Sequence, residues 1–261
     1  PLAMSLAGAG WQVTGTKTTP DGVNAARGSG IDCYLLELTP ELNCDADDLE
    51  ALLSVDALVV TLPASRTAAG GENYLLSVQQ LVDSALAFNV PRILITSSTS
   101  ADGEHSGSTT ESSQLDPASV AGQTLQTLEN WLHNLPNTSV DILRLAGLVG
   151  PHRHPGRFLA GKTDIANGNQ GVNLVHLDDV IAAISLRLQT PKGGHIYNLS
   201  APQHPARNQF YPQVARQLGL TPPTFLADHD KNSGKLIDGS KICRELGFEY
   251  RYPDPARMPL S

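Results

Sequence analysis

The sequence has little of several features that mark common protein classes. Only 17% of its 261 residues are charged and 5% are aromatic. Its three cysteines are far apart and form no CxxC pair, so we expect neither a disulfide framework nor a metal site, and we expect a reducing, cytoplasmic environment. No run approaches the roughly 20 apolar residues of a membrane span. With 18 basic and 26 acidic residues the net charge is −8, which argues against binding to nucleic acid.

What is present is a regular alternation of apolar runs and helical patterns. Hydrophobic residues make up 40% of the chain, which is enough for a core in a protein of 27.7 kDa. The predicted strands are Trp11–Thr16, Asp32–Glu37, Ala57–Leu62, Arg92–Thr96, Val140–Leu145 and His195–Leu199. The predicted helices are Ala46–Leu53 (with Asp45 as N-cap), Glu72–Asn89, Pro117–Leu135 (with Asp116 as N-cap), Asp178–Leu188, Ala206–Leu218 and Ser240–Leu246. This order predicts a doubly wound parallel α/β sheet.

The chain starts in the middle of this alternation. Residues 1–10 (PLAMSLAGAG) have apolar residues at helical spacing, and a strand follows. One interpretation is the remnant of a secretory signal, but it lacks a basic segment. The other, which we favour, is a βαβ unit whose first strand and glycine loop lie upstream of Pro1. We expect residues 1–148 to form a Rossmann domain and 149–261 a smaller substrate subdomain, with 174–199 returning to the sheet.

Four segments in order resemble one family. They are NYLLSVQQLVDSALAFNVP (73–91), TSSTSADG (96–103), RLAGLVGP (144–151) and VNLVHLDD (172–179). They are similar to segments of the extended or atypical short-chain dehydrogenase/reductases of the NAD(P)-dependent epimerase/dehydratase type, and most of all to nucleoside-diphosphate-sugar epimerase-like proteins. The resemblance implies a Rossmann fold, hydride transfer to and from a nicotinamide cofactor, and a sugar or a nucleotide sugar as the small-molecule substrate. It also implies that Ser98 is the serine that polarises the substrate.

The sequence departs from that family at the residues that transfer protons. The Tyr-x-x-x-Lys pair of the family aligns with Ala121 and Leu125, and neither side chain can transfer a proton. The tyrosine of the family's first motif is replaced by Asp102. A substitute acid would have to be His105, Asp102 or a water molecule. Two functions stay open: an enzyme with a degenerate site, and a non-catalytic NADP-binding sensor or regulator.

The resemblance also places a cofactor site. The cofactor-binding candidates are Thr16, Lys17, Leu62, Pro63, Ser97 and Ala146. An NAD site usually has an acidic residue near the end of the second strand of its fold, where this sequence has Thr16-Lys17-Thr18. A lysine flanked by hydroxyl groups suits the 2′-phosphate of NADP, so NADP is expected over NAD. The alternative is that Lys17 is a solvated loop lysine.

The substrate-binding candidates are Thr99, Arg157, Asn173 and His176. The segment around His152, Arg153 and His154 is basic, and with Arg157 and Lys162 it could meet the phosphate of a nucleotide or remain a solvated loop. His176 precedes two aspartates and could instead cap the following helix. If the protein is a homodimer, the helices that start at Glu72 and Pro117 are the candidate contacts.

Overall fold

The computed structural model describes residues 1–63, 68–102, 106–113, 119–227 and 234–260. Its helices are α1 (Leu2–Gly8), α2 (Pro20–Gly28), α3 (Ala46–Leu53), α4 (Ala68–Ala87), α5 (Val120–His133), α6 (Leu177–Gln189), α7 (Arg207–Gln217) and α8 (Lys241–Leu246). Its strands are β1 (Thr14–Lys17), β2 (Asp32–Leu35), β3 (Glu37–Leu38), β4 (Leu42–Asn43), β5 (Leu58–Val60), β6 (Arg92–Ser98), β7 (Gly107–Thr109), β8 (Ser139–Leu145), β9 (Gly147–Val149), β10 (Leu174–His176), β11 (Ile196–Leu199) and β12 (Lys235–Ile237).

The largest sheet consists of four parallel strands in the order β11, β8, β6, β5. Its strands are rich in branched apolar residues, and Ile93, Leu94 and Ile142 are at most marginally exposed. Such strands are buried on both faces, as in a parallel sheet covered by helices. The predicted parallel α/β fold is therefore confirmed. No helix of the described residues is long and apolar enough to cross a membrane.

The chain divides into two compact units. Unit 1 comprises Pro1–Ser97, Ser119–Ile142 and Arg187–His195. Within it, β1 pairs in parallel with β2, and β5 pairs in parallel with β6. The short strands β3 and β4 form an antiparallel hairpin that the sequence did not predict.

A buried carboxylate holds the end of α6 in unit 1. Asp141 has no exposed side-chain surface, and it accepts hydrogen bonds from Arg92 at 3.0 Å and pairs with Arg187 at 3.1 Å. Arg92 also donates to the carbonyl oxygens of Arg187, Leu188 and Thr190. These are carbonyls at the carboxyl end of a helix, which lack partners within the helix and carry partial negative charge. The guanidinium group therefore caps α6 while the carboxylate balances its charge.

Unit 2 comprises Ser98–Ala118, Leu143–Leu186 and Ile196–Ser261. Here β9 pairs in parallel with β10, and β7 pairs in parallel with β12. The segment 97–113 is rich in serine, threonine and glycine, which predicts a loop. The structure corrects this prediction, because Gly107–Thr109 is a strand whose partner lies more than 120 positions later in the sequence. One apolar cluster of this unit consists of Val149, Val172, Leu174, Ala201, Phe210, Val214, Met258 and Leu260. Each unit is made of three separate stretches of chain. The expected division at residue 148 into a Rossmann domain and a substrate subdomain stays a prediction.

Helix boundaries follow local capping. The prediction for α3 is confirmed: Asp45 accepts from the backbone N–H groups of Asp47 and Asp48 at 2.9 and 3.3 Å. For α5 the cap is Ser119, whose hydroxyl accepts from Gly122 N–H at 3.1 Å, and the helix begins at Val120. The predicted cap Asp116 and first-turn Pro117 lie outside the described residues.

Candidate functional site

The exposed end of β1 carries two of the predicted cofactor residues. Thr16 and Lys17 are both exposed there, and α2 starts three residues further on. The Thr19 hydroxyl caps α2 by accepting from Gly22 N–H at 3.2 Å. A Cβ on Gly22 would lie 3.3 Å from the Cβ of Lys17, so the lysine stem runs along the first turn of α2. The ammonium group of Lys17 thus belongs to an exposed, polar strand end beside a helix N-terminus.

The end of β5 in unit 1 carries two apolar candidates for cofactor binding. Leu62 is half-buried and Pro63 is exposed, two and three residues past the last strand position. Proline there supplies no N–H group to continue the sheet, which ends the strand. An apolar, partly exposed surface of this kind can pack against the adenosine part of a dinucleotide, and Lys17 supplies a cation for a phosphate. The residues present therefore fit that end of the cofactor.

A polar cluster lies between α4, α5 and β6. Ser97 is buried and its hydroxyl donates to Glu129 at 2.8 Å, and Glu129 is itself only 3% exposed. Burial, with a smaller contribution from the charge of Glu129, raises the pKa of Tyr74 to about 12. Ser97 is thus engaged inside unit 1, and its predicted contact with the cofactor stays a prediction.

The two positions that the sequence aligned with the family's Tyr and Lys lie on α5, and that alignment stays a prediction. Ala121 is half-buried, and Leu125, one turn later, is only 1% exposed. Glu129 follows after another turn, and residues four apart lie on the same side of a helix. The side of α5 that carries Ala121 and Leu125 is therefore apolar and faces the core, and Glu129 is the first charged residue on it.

Ser98 starts unit 2 and shapes the turn after β6. Its hydroxyl oxygen accepts from the backbone N–H of Ser100 at 3.2 Å and from the Ser100 hydroxyl at 3.1 Å. Ser98 therefore caps the 3-10 turn Thr99–Asp102 and remains half-buried, with its own hydroxyl hydrogen still available to donate. Thr99 is buried, and its carbonyl oxygen accepts from the Lys235 ammonium group at 3.3 Å.

Asp102 closes the same turn and is paired with Arg144. The two side chains are 0% and 2% exposed, and the distance between Arg144 Nη1 and Asp102 Oδ1 is 2.7 Å. A buried ion pair with good geometry favours the charged carboxylate. Asp102 is therefore engaged with Arg144, and its role as a substitute acid stays a prediction. His105, the other candidate acid, lies outside the described residues.

Asn173 and His176 both hold other parts of unit 2. The Asn173 side chain donates to Lys235 O and accepts from Ile237 N–H, each at 2.8 Å, which ties β12 in place. His176 is 2% exposed, and its Nδ1 accepts from Asp178 N–H at 3.1 Å. Its proton is therefore on Nε2, which donates to the carbonyl oxygen of Pro259 at 2.9 Å. These contacts support the capping interpretation of His176, while substrate binding by either residue stays a prediction.

The remaining candidates are Ala146 and Arg157. Ala146 is buried and its N–H donates to Leu199 O at 3.0 Å, whereas Arg157 is exposed at the end of the 3-10 turn Pro155–Arg157. Among the described residues, no group of three or more His, Cys, Asp or Glu side chains could hold a metal ion.

Sequence reasoning missed Glu129 and the Asp102–Arg144 pair. Glu129 interrupts the apolar face of α5 at a helical interval, a pattern that can indicate a buried carboxylate. The ion pair joins residues 42 positions apart, and nothing in the sequence links them.

These features define an α/β protein with a central parallel sheet of the Rossmann type. A sequence model of the NAD dependent epimerase/dehydratase family matches residues 2–200. The chain therefore belongs to that family, and the resemblance stated from its motifs is confirmed. It is 66% identical to "Protein YeeZ" of Escherichia coli (strain K12) over 261 residues, which is 100% of this chain and 95% of that protein.

Solved structures share the fold at lower identity. UDP-glucose 4-epimerase from Thermotoga maritima, with UDP-glucose, matches at a TM-score of 0.74 and 17% identity, over 96% of this chain and 89% of that one. UDP-glucuronic acid 4-epimerase from Bacillus cereus, in complex with UDP-glucuronic acid and NAD, matches at a TM-score of 0.75 and 20% identity, over 98% and 91%. At these identities the likeness shows the fold alone.

Proposed function

We propose that this protein binds a nicotinamide dinucleotide and a nucleotide sugar through a site that lacks the phenol–lysine pair of its family. Membership of the family supports the dinucleotide. The Thermotoga and Bacillus epimerases are described with UDP-sugars, and the second also with NAD, which supports a ligand of the same class here. Fold by itself does not fix function, so the argument rests on particular residues.

The observation that carries the proposal is the apolar face of α5. Leu125 is 1% exposed and packs into the core where the family's lysine would lower the pKa of a phenol. Loss of a general acid typically lowers a rate by about 10²–10⁴-fold. We therefore expect cofactor binding with slow or absent turnover.

The chain's own residues would act as follows. Lys17 and Thr16 bind the ribose end of the cofactor, and Leu62 and Pro63 pack against its adenosine. The bound nicotinamide would supply the hydride acceptor or donor. Ser98 can donate its hydroxyl hydrogen to a substrate oxygen, because its oxygen already accepts from Ser100.

The cofactor we propose is NADP. An exposed lysine attracts the additional 2′-phosphate, whereas an acidic residue at this place would repel it. The NAD of the Bacillus enzyme favours the other dinucleotide, so both must be compared directly.

The test is a fluorescence titration of the purified protein with NADPH and NADH. Lys17→Glu is expected to weaken NADPH binding at least tenfold and to leave NADH binding within a factor of about two, because only NADPH carries the 2′-phosphate. Lys192→Glu is the matched control, an equal charge change at another exposed lysine of unit 1. Equal losses for both nucleotides would contradict the NADP assignment, and no binding of either would remove the proposal.

A second candidate function is a non-catalytic NADP sensor or regulator. The Asp102–Arg144 ion pair favours it, because the pair engages one of the two side chains that could replace the missing acid. Hydride exchange measured with UDP- and dTDP-sugars separates the two functions. Turnover that Ser98→Ala abolishes supports the enzyme, and dinucleotide binding without turnover on any sugar supports the sensor.

Two further properties belong to the proposal. A homodimer would form through α4 and α5, on which Leu76 and Val120 are 46% and 40% exposed. Leu76→Glu should then convert a dimer to a monomer in sedimentation analysis. The three cysteines are free, which agrees with a reducing compartment, and we propose the cytoplasm.

A further inference from the structure

Unit 2 contains a cavity of about 680 Å³ whose wall is rich in arginine and histidine. The residues that line it are His152, Arg153, His154, Arg157, Gln217, Leu218 and Leu260. Cavities of this size are typical of small-molecule sites. We propose that it binds a phosphate-class anion, such as a pyrophosphate or the diphosphate of a nucleotide.

This cavity carries positive charge, whereas the protein as a whole is negatively charged. Four of the seven lining side chains are arginine or histidine and none is acidic, although the protein has a net charge of −8. Within the described part of the chain, neither Arg153 nor Arg157 takes part in an ion pair. Guanidinium groups bind phosphate oxygens in pairs of hydrogen bonds, and two such groups suit a ligand with more than one negative charge.

One feature of the cavity wall opposes anion binding, and its charge can be compared with the charge of the two arginines. Gln217 and Leu218 are at the carboxyl end of α7, which carries a partial negative charge of about half an elementary charge. Gly219 N–H and Leu218 N–H already donate to carbonyl groups of that last turn. Two arginine side chains therefore exceed the helix end in charge, and the balance of the cavity is positive.

The loop that bears these side chains is fixed in position. Pro155 and Gly156 are buried, and a Cβ on Gly156 would lie only 2.4 Å from the carbonyl oxygen of Val214. The backbone of the 3-10 turn therefore lies directly on α7, at a distance that only glycine permits. Side chains on a rigid backbone lose less entropy on binding, which favours a preformed site.

His154 presents a hydrogen-bond donor from this fixed loop. Its Nδ1 accepts from the Gly156 N–H at 2.9 Å, so the neutral ring has its proton on Nε2. Burial and, to a smaller degree, the charge of Arg157 lower the pKa of His154 below its ordinary value. The neutral ring can donate to an anion without losing its contact to Gly156.

His152 occupies a position that costs energy. The turn from Gly150 to Arg153 is closed by a hydrogen bond of 2.9 Å, and His152 has φ of 64° in it, next to Pro151. This is the turn position that glycine or asparagine usually fills, and a histidine there is strained. Residues with a strained backbone conformation are often found at ligand sites. Here the strained backbone places the imidazole of His152 at the cavity.

The inference goes beyond the proposed function. Of the substrate candidates found in the sequence, only Arg157 lines the cavity, and Ser98, Thr99, Asn173 and His176 do not. Anion binding requires no dinucleotide, so it is tested with the anion alone. Titration with NADPH then reports separately on the proposed function, and the cavity variants should leave it unchanged.

The experiment is calorimetric titration of the full chain with sodium pyrophosphate, at constant ionic strength and without other phosphate. Arg153→Gln and Arg157→Gln are each expected to weaken binding about tenfold, as for the loss of one hydrogen bond to a charged group. Arg216→Gln removes the same charge from an exposed side chain of α7 that does not line the cavity, and should change the affinity less than about twofold. His152→Gly should weaken binding without lowering the melting temperature.

The outcomes are distinct. Equal losses in Arg216→Gln and the cavity variants would mean a general effect of charge and would overturn the proposal, as would the absence of binding at millimolar pyrophosphate. Titrations with inorganic phosphate and UDP identify the source of the anion. If UDP binds more tightly than pyrophosphate and depends on the same arginines, the ligand is a nucleotide diphosphate. If the two bind equally, the site recognises phosphate groups alone.

Discussion

The carboxylate of Asp102 accepts a hydrogen bond from Arg144 at 2.7 Å, and the pair is almost completely buried. Asp102 is the last residue of the 3-10 turn after β6, and Arg144 is the penultimate residue of β8. The pair thus ties the turn after β6 to the end of β8 within unit 2. A residue that the sequence offered as an acid acts in the structure as the fixed partner of a cation.

Removing one member of this pair should destabilise the protein strongly. Asp102→Ala removes the carboxylate that pairs with the buried Arg144 guanidinium group, and we expect a loss of about 3–5 kcal/mol in the free energy of unfolding. The double variant Asp102→Leu/Arg144→Met should lose less stability than Asp102→Ala, because neither charge of the pair remains buried. Urea unfolding followed by circular dichroism measures all of these. A loss below about 1 kcal/mol for the single variant would contradict a buried, paired carboxylate.

The pKa of Tyr74 predicts a loss of stability at high pH. Burial raises that pKa from 10.0 to about 12, so the folded protein retains the phenol proton where the unfolded chain has released it. The contribution of Tyr74 is therefore fully present below pH 10 and is lost as the pH rises from 10 to 12. Unfolding titrations at several pH values should show this fall, and Tyr74→Phe should make it shallower.

Glu129→Gln provides an independent check on the same cluster. The charge of Glu129 is the second cause of the raised pKa of Tyr74, so its removal should lower that pKa. The glutamine can still accept from Ser97, so the fold should be retained. An unchanged alkaline absorbance titration of the tyrosines would contradict the proximity of the two groups.

Asp141 should be among the residues on which unit 1 depends most. Asp141→Ala leaves Arg92 and Arg187 without their common anion, and we expect a loss of about 3–5 kcal/mol. The loss should depend little on salt, because a buried pair is poorly screened. Asp21→Ala, at an exposed position in the first turn of α2, is the control and should cost less than about 1 kcal/mol. Comparable melting temperatures for the two variants would be inconsistent with this arrangement.

Asn173 should prove sensitive to an isosteric change. Asn173→Asp can still accept from Ile237 N–H but cannot donate to Lys235 O, so one of the two hydrogen bonds to β12 is lost. We expect the free energy of unfolding to fall by about 1–3 kcal/mol. Hydrogen exchange at the amide of Ile237 measures the local effect, and unchanged protection in Asn173→Ala would show that the side chain does not hold β12.

The sequence predicted those parts of the fold that depend on neighbouring residues. Helix α3 and its cap at Asp45 were predicted correctly, because capping involves groups only two or three residues apart. The buried strands β6 and β8 were also predicted, since their apolar runs have no helical period. The family motifs identified the family for the same reason, as each is a short continuous segment.

Other parts depend on contacts that the sequence does not display. The segment 97–113 reads as polar and irregular, yet Gly107–Thr109 pairs with Lys235–Ile237. The hydroxyl groups of Ser97 and Ser98 are equivalent in the sequence, but strand geometry directs neighbouring side chains to opposite faces. One contacts Glu129 in unit 1, and the other caps a turn in unit 2.

The sequence by itself determined the class of fold and the family, because both can be read from residue types at short spacing. Only the tertiary structure decided what the polar candidate residues of unit 2 contact. Asp102 pairs with Arg144, Asn173 holds β12, and His152, His154 and Arg157 line one cavity. Burial and pairing set the charge and availability of a side chain, and both depend on residues that are distant in sequence.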